Sequence, residues 1–144
     1  MKSLKILSAC AALILPLSAA SAESLSHQEN KTEAAWGLID SQGLKALLDA
    51  KTPLTLLDAR TDKWFDGTLI LGAQRLPYDA SGEAVEKLLP SKQKLVVVYC
   101  AGEGCDASQK LAKRLVSEGY TSVVDYHGGI RDWTANNYPT KTVK

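Results

Sequence analysis

Hydrophobic positions are grouped along the chain in short runs of two kinds. The run Leu95-Val96-Val97-Val98-Tyr99 is continuously apolar and rich in β-branched residues. A run without polar alternation predicts a strand covered on both faces, hence a central one. Residues 54–57 and 121–126 read as further strands, and residues 75–78 as a short extended piece. Helical spacing separates them. Ser41 is placed to cap a helix with Leu44, Leu47 and Leu48 on one face, ending near Lys51-Thr52-Pro53. Residues 81–89 form a second helix closed by Pro90, and Leu111, Ala112 and Leu115 mark the inward face of a third, ending around Gly119. After the Gly128-Gly129 turn comes a short helix holding Trp133, whose expected role is core packing. Only the stretch beginning at Trp64 and Phe65, with Gly67 and Gly72, reads as irregular. Strands alternating with helices predict an α/β fold: a mainly parallel sheet of about five strands with helices on both faces.

One apolar run has no place in that scheme. Residues 6–17 follow Lys2 and Lys5 and precede Ser18-Ala19-Ala20-Ser21-Ala22, the three parts of a cleavable secretion signal. Cleavage after Ala22 is expected, leaving a periplasmic or secreted protein. A membrane span needs about 20 apolar residues, and Ser8 and Pro16 interrupt this run. Leu7-Ser8-Ala9-Cys10 also resembles a lipoprotein signal, but the apolar stretch before Cys10 is short for one. The expected organisation is a signal over residues 1–22, a flexible polar lead-in carrying His27 over 23–35, and one domain over 36–144.

Charge and cysteine content narrow the function. The chain has 144 residues, with 17 Lys and Arg against 16 Asp and Glu; loss of residues 1–22 removes two lysines and leaves a formal charge of −1. That balance attracts neither nucleic acid nor an anionic membrane, and a monomer is expected. A domain this size buries about two-thirds of its unfolded surface, so it needs no disulfide or structural metal to fold. Cys100 and Cys105 are then free for chemistry, in an oxidising compartment.

Cys100 ends the strongest strand, and Ala101, Gly102, Glu103, Gly104, Cys105, Asp106 and Ala107 follow before the third helix. Glycines let such a loop curl, and a helix start offers unpaired N–H groups and partial positive charge; together they stabilise a thiolate or persulfide. Equally, a cysteine there can be a small buried hydrophobe.

The flanking segments discriminate. Leu56-Leu57-Asp58-Ala59-Arg60, Gly72-Ala73 through Leu76-Pro77, Val97-Val98-Tyr99-Cys100, Gly119-Tyr120, and Gly128-Gly129-Ile130-Arg131-Asp132-Trp133 with Tyr138-Pro139 resemble, in order, the segments of single-domain rhodaneses, the sulfurtransferase family. The resemblance runs from about Gly37 to Thr140. It implies that Cys100 is a nucleophile that carries sulfur as a persulfide, that the amides of residues 101–107 cradle its charge, and that Asp58 and Arg60 brace the loop as an ion pair. No cofactor or metal is implied; the partners are a small-molecule or protein-borne sulfur donor and a thiol acceptor.

The chain departs from that family in ways that matter. The loop carries Glu103 and Asp106 and no cation, so a dianion such as thiosulfate is expected to be repelled unless Asp106 serves only as a helix cap. Asp at position 106 also removes the arginine that related cysteine phosphatases use to grip phosphate. Cys105 stands where it could resolve a persulfide or sulfenic acid as a disulfide, which leaves a thiol–disulfide redox or persulfide-sensing protein open, as it does a non-catalytic binding module. Two thiols without a second pair do not complete a zinc shell. His127 reads as a turn residue without a partner.

Overall fold

The computed structural model describes residues 35–143; the expected signal, Cys10 and nearly all of the expected lead-in lie outside them. Within them the chain forms β1 (Gly37–Leu38), α1 (Ser41–Asp49), β2 (Leu54–Asp58), β3 (Thr68–Ile70), β4 (Gln74–Arg75), α2 (Gly82–Leu88), β5 (Leu95–Tyr99), α3 (Ala107–Ser117), β6 (Val123–Tyr126), α4 (Gly129–Ala135) and β7 (Thr140–Thr142). Five strands make one sheet in the order β1-β6-β5-β2-β4, every pairing parallel, with β5 in the middle as its unbroken apolar run predicts.

Alternation along the strands divides the core. Leu57, Val96, Val98 and Val123 turn to one face, where Val85 of α2 and Leu111, Ala112 and Leu115 of α3 cover them. Leu56, Val97, Tyr99 and Tyr126 turn to the other, against Leu44 of α1 and Ile130 and Trp133 of α4. Trp133 is 1% exposed, and its indole N–H donates to the Pro139 carbonyl at 2.9 Å, so it fills space as expected.

Some local expectations change. Asp40, not Ser41, caps α1: its Oδ1 accepts from the Gly43 amide at 2.7 Å. The extended piece expected over 75–78 is the two-residue β4, displaced toward the N-terminus, where Gln74 and Arg75 pair with Leu57 and Asp58. The irregular stretch after Trp64 contains β3, which pairs antiparallel with β7 in a separate two-stranded sheet. All the parallel strands present their carboxyl ends to the same side, the side where α/β sheets assemble their sites.

Candidate active site

Strand β5 ends at Tyr99, and Cys100 opens the loop that leads into α3. Two contacts from α4 hold the first half of that loop: Ile130 N–H donates to the Cys100 carbonyl at 2.9 Å and Arg131 N–H to the Ala101 carbonyl at 3.1 Å. The fit is too close for side chains at two points. A Cβ at Gly129 would come within 2.5 Å of the Cys100 carbonyl oxygen, and one at Gly102 within 2.8 Å of the Gly128 carbonyl; both glycines have positive φ. The glycine pair expected as a turn therefore also docks the loop.

Cys100 is completely buried. Its thiol donates to the Cys105 carbonyl at 3.2 Å, and the Ser108 hydroxyl lies 3.5 Å from Sγ. Burial pushes the Cys100 thiol up, and the Cys105 side chain pushes the same way; the Ser108 hydroxyl and the amides of Gly102 and Ser108 pull back without cancelling them. The expected cradle is thus smaller than the whole loop. The Cys105 amide is spent on the Gly102 carbonyl at 3.0 Å, while Ser108, in the first turn of α3, supplies both an amide and a hydroxyl. Ser108 escaped the sequence reading; its signal was a hydroxyl on the first turn of the helix that follows a strand-ending cysteine.

Outside the loop lies a cavity of about 410 Å³ with Trp64, Tyr78, Glu103, Cys105, Lys110 and Arg131 in its wall. Cys100 lies behind that wall, whereas Cys105, partly exposed, belongs to it. The mouth is not the purely acidic one expected. Asp106 makes no cap hydrogen bond; it pairs with Lys110 at 2.8 Å, which holds its carboxyl below the usual range. One helical turn carries Lys110 back over the loop, and α4 brings Arg131 from the opposite side. With Arg60, three cationic residues thus line the same opening as Glu103 and Asp106.

Asp58 and Arg60 do form the expected pair, at 2.6 Å, with side chains 0% and 2% exposed. The guanidinium also donates to the Thr68 carbonyl and to Asp66, at 3.1 Å for the latter. Its hydrogen bonds therefore brace the segment leading into β3 rather than the Cys100 loop. Burial works against the charge on Arg60, but Asp58 and Asp66 outweigh it and raise its pKa.

The fold, the order of motifs and the strand-ending cysteine can be set beside known proteins. The family model for the Rhodanese-like domain matches residues 40–136. The chain belongs to that family. Among solved structures it resembles the BH2092 protein from Bacillus halodurans, at 23% identity and a TM-score of 0.66, over 77% of this chain and 80% of that one. The Alr3790 protein from Anabaena sp. is similar at 26% identity and a TM-score of 0.64, covering 73% and 80% of the two chains. A thiosulfate sulfurtransferase from Pseudomonas aeruginosa aligns at 23% identity with a TM-score of 0.62, over 76% of this rhodanese-like chain but only 21% of its own. No curated protein matches.

His127, read from sequence as an unpartnered turn residue, has a neighbour after all. Its Nδ1 lies 3.7 Å from Oδ2 of Asp125, a carboxylate with 0% exposure. Both open on a second cavity, of about 820 Å³, shared with Asp40, Glu103, Arg131 and Asp132. Sequence reading passed over Asp125 because it lies near the end of a largely apolar strand, where a polar residue ordinarily faces solvent.

Proposed function

We propose that the protein is an exported sulfurtransferase that carries a sulfane sulfur on Cys100. The carrying observation is the position of that sulfur in a rhodanese-like domain: at the carboxyl end of the central strand, with the Gly102 and Ser108 amides and the Ser108 hydroxyl favouring its charge. The Cys100 sulfur attacks the outer sulfur of a donor, and the donor's S–S bond breaks with its electron pair leaving on the departing group. An acceptor thiolate then takes the outer sulfur and returns Cys100 as thiolate, a covalent ping-pong cycle. The cavity of about 410 Å³ in front of the loop is far roomier than a single small dianion requires, and its mixed charges suit a larger donor or acceptor thiol. Cleavage after Ala22 would release the mature chain outside the cytoplasm.

Intact-protein mass spectrometry after mixing with thiosulfate or an organic persulfide tests the reading. A gain of one sulfur on wild type and on Cys105→Ser, but not on Cys100→Ser, supports it. No gain with any donor refutes it. N-terminal sequencing of native protein tests export: a start at Glu23 is expected, and a start at Met1 would contradict it.

A second reading has its own support in the closeness of the Cys105 carbonyl to Cys100 Sγ. The Cys105 thiolate would attack the inner sulfur of the Cys100 persulfide, forming a Cys100–Cys105 disulfide and expelling hydrosulfide, as a redox or persulfide-sensing protein would. Sulfide release that disappears in Cys105→Ser distinguishes it.

A further inference from the structure

We infer that Asp125 serves Cys100 as a general base, acting through the hydroxyl of Ser108. The inference rests on Cys100 being the nucleophile. The geometry starts from an unsatisfied group. Asp125 is the penultimate residue of β6, beside Val98 of β5, and neither of its carboxylate oxygens has a hydrogen-bond partner among the described residues. Leaving an ionised acceptor buried and unpaired is costly, and such groups concentrate where chemistry needs them. Ser108, itself fully buried in the first turn of α3, has its hydroxyl 3.5 Å from the Cys100 sulfur, and Asp125 shares with Val98 and Val123 the face of the sheet that α3 covers.

Burial raises the carboxyl's proton affinity, while the Ser108 hydroxyl and His127 lower it without reversing the shift. No hydrogen bond between Ser108 and Asp125 is closed in the resting arrangement. A serine hydroxyl has one proton to donate and lone pairs to accept with. In the resting arrangement it donates to Cys100 Sγ, and the thiol donates to the Cys105 carbonyl. Rotation about the Cβ–Oγ bond turns the hydroxyl toward Asp125, and the thiol can follow onto Oγ.

As Sγ attacks the donor's outer sulfur, the S–H bond breaks and a new S–S bond forms. The thiol proton passes to Ser108 Oγ while the serine's own proton passes to Asp125. The donor's old S–S bond breaks, and its electron pair leaves with the departing thiolate or sulfite. Asp125, now a carboxylic acid, can donate to Ser108 Oγ, which gives the orphaned group the partner it lacked. The proton's way out is His127, whose imidazole is 43% exposed on the larger cavity. The other charged groups there are Asp40 from the α1 cap, Glu103 from the loop, and Arg131 and Asp132 from α4; Asp132 is occupied by the Tyr126 hydroxyl at 2.7 Å. Proton exit and substrate approach would thus use different faces of the loop.

The test measures Cys100 alkylation by iodoacetamide against pH in a Cys105→Ser background, alone and combined with Asp125→Asn or Ser108→Ala. The parent should keep a rate plateau below the range in which its thiol titrates, with a solvent deuterium isotope effect. Both variants should lose about a hundredfold at neutral pH, lose the isotope effect and meet the parent at alkaline pH, where hydroxide replaces the base. A loss below twofold, or one of equal size at every pH, overturns the inference. Ser108→Ala keeps Asp125 in place and decides the matter if Asp125→Asn does not fold. Sulfur uptake by the parent is scored separately. Uptake with flat pH profiles leaves the proposed function standing and removes the base; base-dependent alkylation without uptake does the reverse.

Discussion

The backbone carbonyl of Cys105 lies 3.2 Å from Sγ of Cys100 and accepts its thiol proton. One residue of the loop thereby engages the thiol that burial already pushes up, while presenting its own side chain to the cavity outside. The expected consequence is an order of reaction. With limiting iodoacetamide near neutral pH, Cys105 should be labelled at least about tenfold faster than Cys100, because thiol reactivity follows access and thiolate fraction. Peptide mapping reads the order, and Cys100 labelled first would show that the loop opens readily.

The buried pair of Asp58 and Arg60 makes a prediction about stability. Arg60→Met leaves the Asp58 carboxylate without its 2.6 Å partner at 0% exposure. Removing one partner of a buried pair costs about 3–5 kcal/mol, a large part of a small domain's stability. Urea denaturation should show that loss. A change below about 1 kcal/mol would mean that water reaches Asp58.

The pH dependence of stability follows from Asp125. Burial raises its folded pKa above the unfolded value of about 3.9, so between those values the folded state binds more protons than the unfolded one. Its contribution is therefore present below about pH 4 and lost as pH rises through the folded pKa. Asp125→Asn carries no such charge. Its melting temperature should exceed wild type at neutral pH and approach it in acid. Gained stability with lost Cys100 reactivity would mark Asp125 as a group kept for chemistry.

Charge at the mouth of the cavity can be read with thiosulfate as probe. Lys110, paired to Asp106 at 2.8 Å, and Arg131 offset the two loop acids. Glu103→Gln should raise kcat/KM for thiosulfate and Lys110→Gln should lower it, each by about two- to threefold, the size expected of single charges in a watery opening. Both effects should shrink in high salt. Equal values for the two variants would show that neither side chain meets the donor.

Much of the fold was legible in the residues themselves. The run Leu95–Tyr99 is apolar without alternation, and only a strand covered on both faces satisfies it; it is the middle strand of the sheet. Leu111, Ala112 and Leu115 likewise marked the buried face of α3 by helical spacing alone. Once those elements alternate, a parallel sheet follows, and Cys100 at a strand's carboxyl end becomes the candidate nucleophile. What only the tertiary structure decided were features without a local signal. Strands β1 and β4 are two residues each, and β3 meets β7 across some seventy positions of chain, so each depends on its partner rather than its own pattern. Asp125 belongs to the same class. A carboxylate near the end of β6 could face water as readily as core, until α3 packs over that face and brings Ser108 within 3.5 Å of the Cys100 sulfur. Periodicity assigns a residue to a face of its own element; whether that face is covered, and by which atoms, depends on the docking of elements distant in the chain.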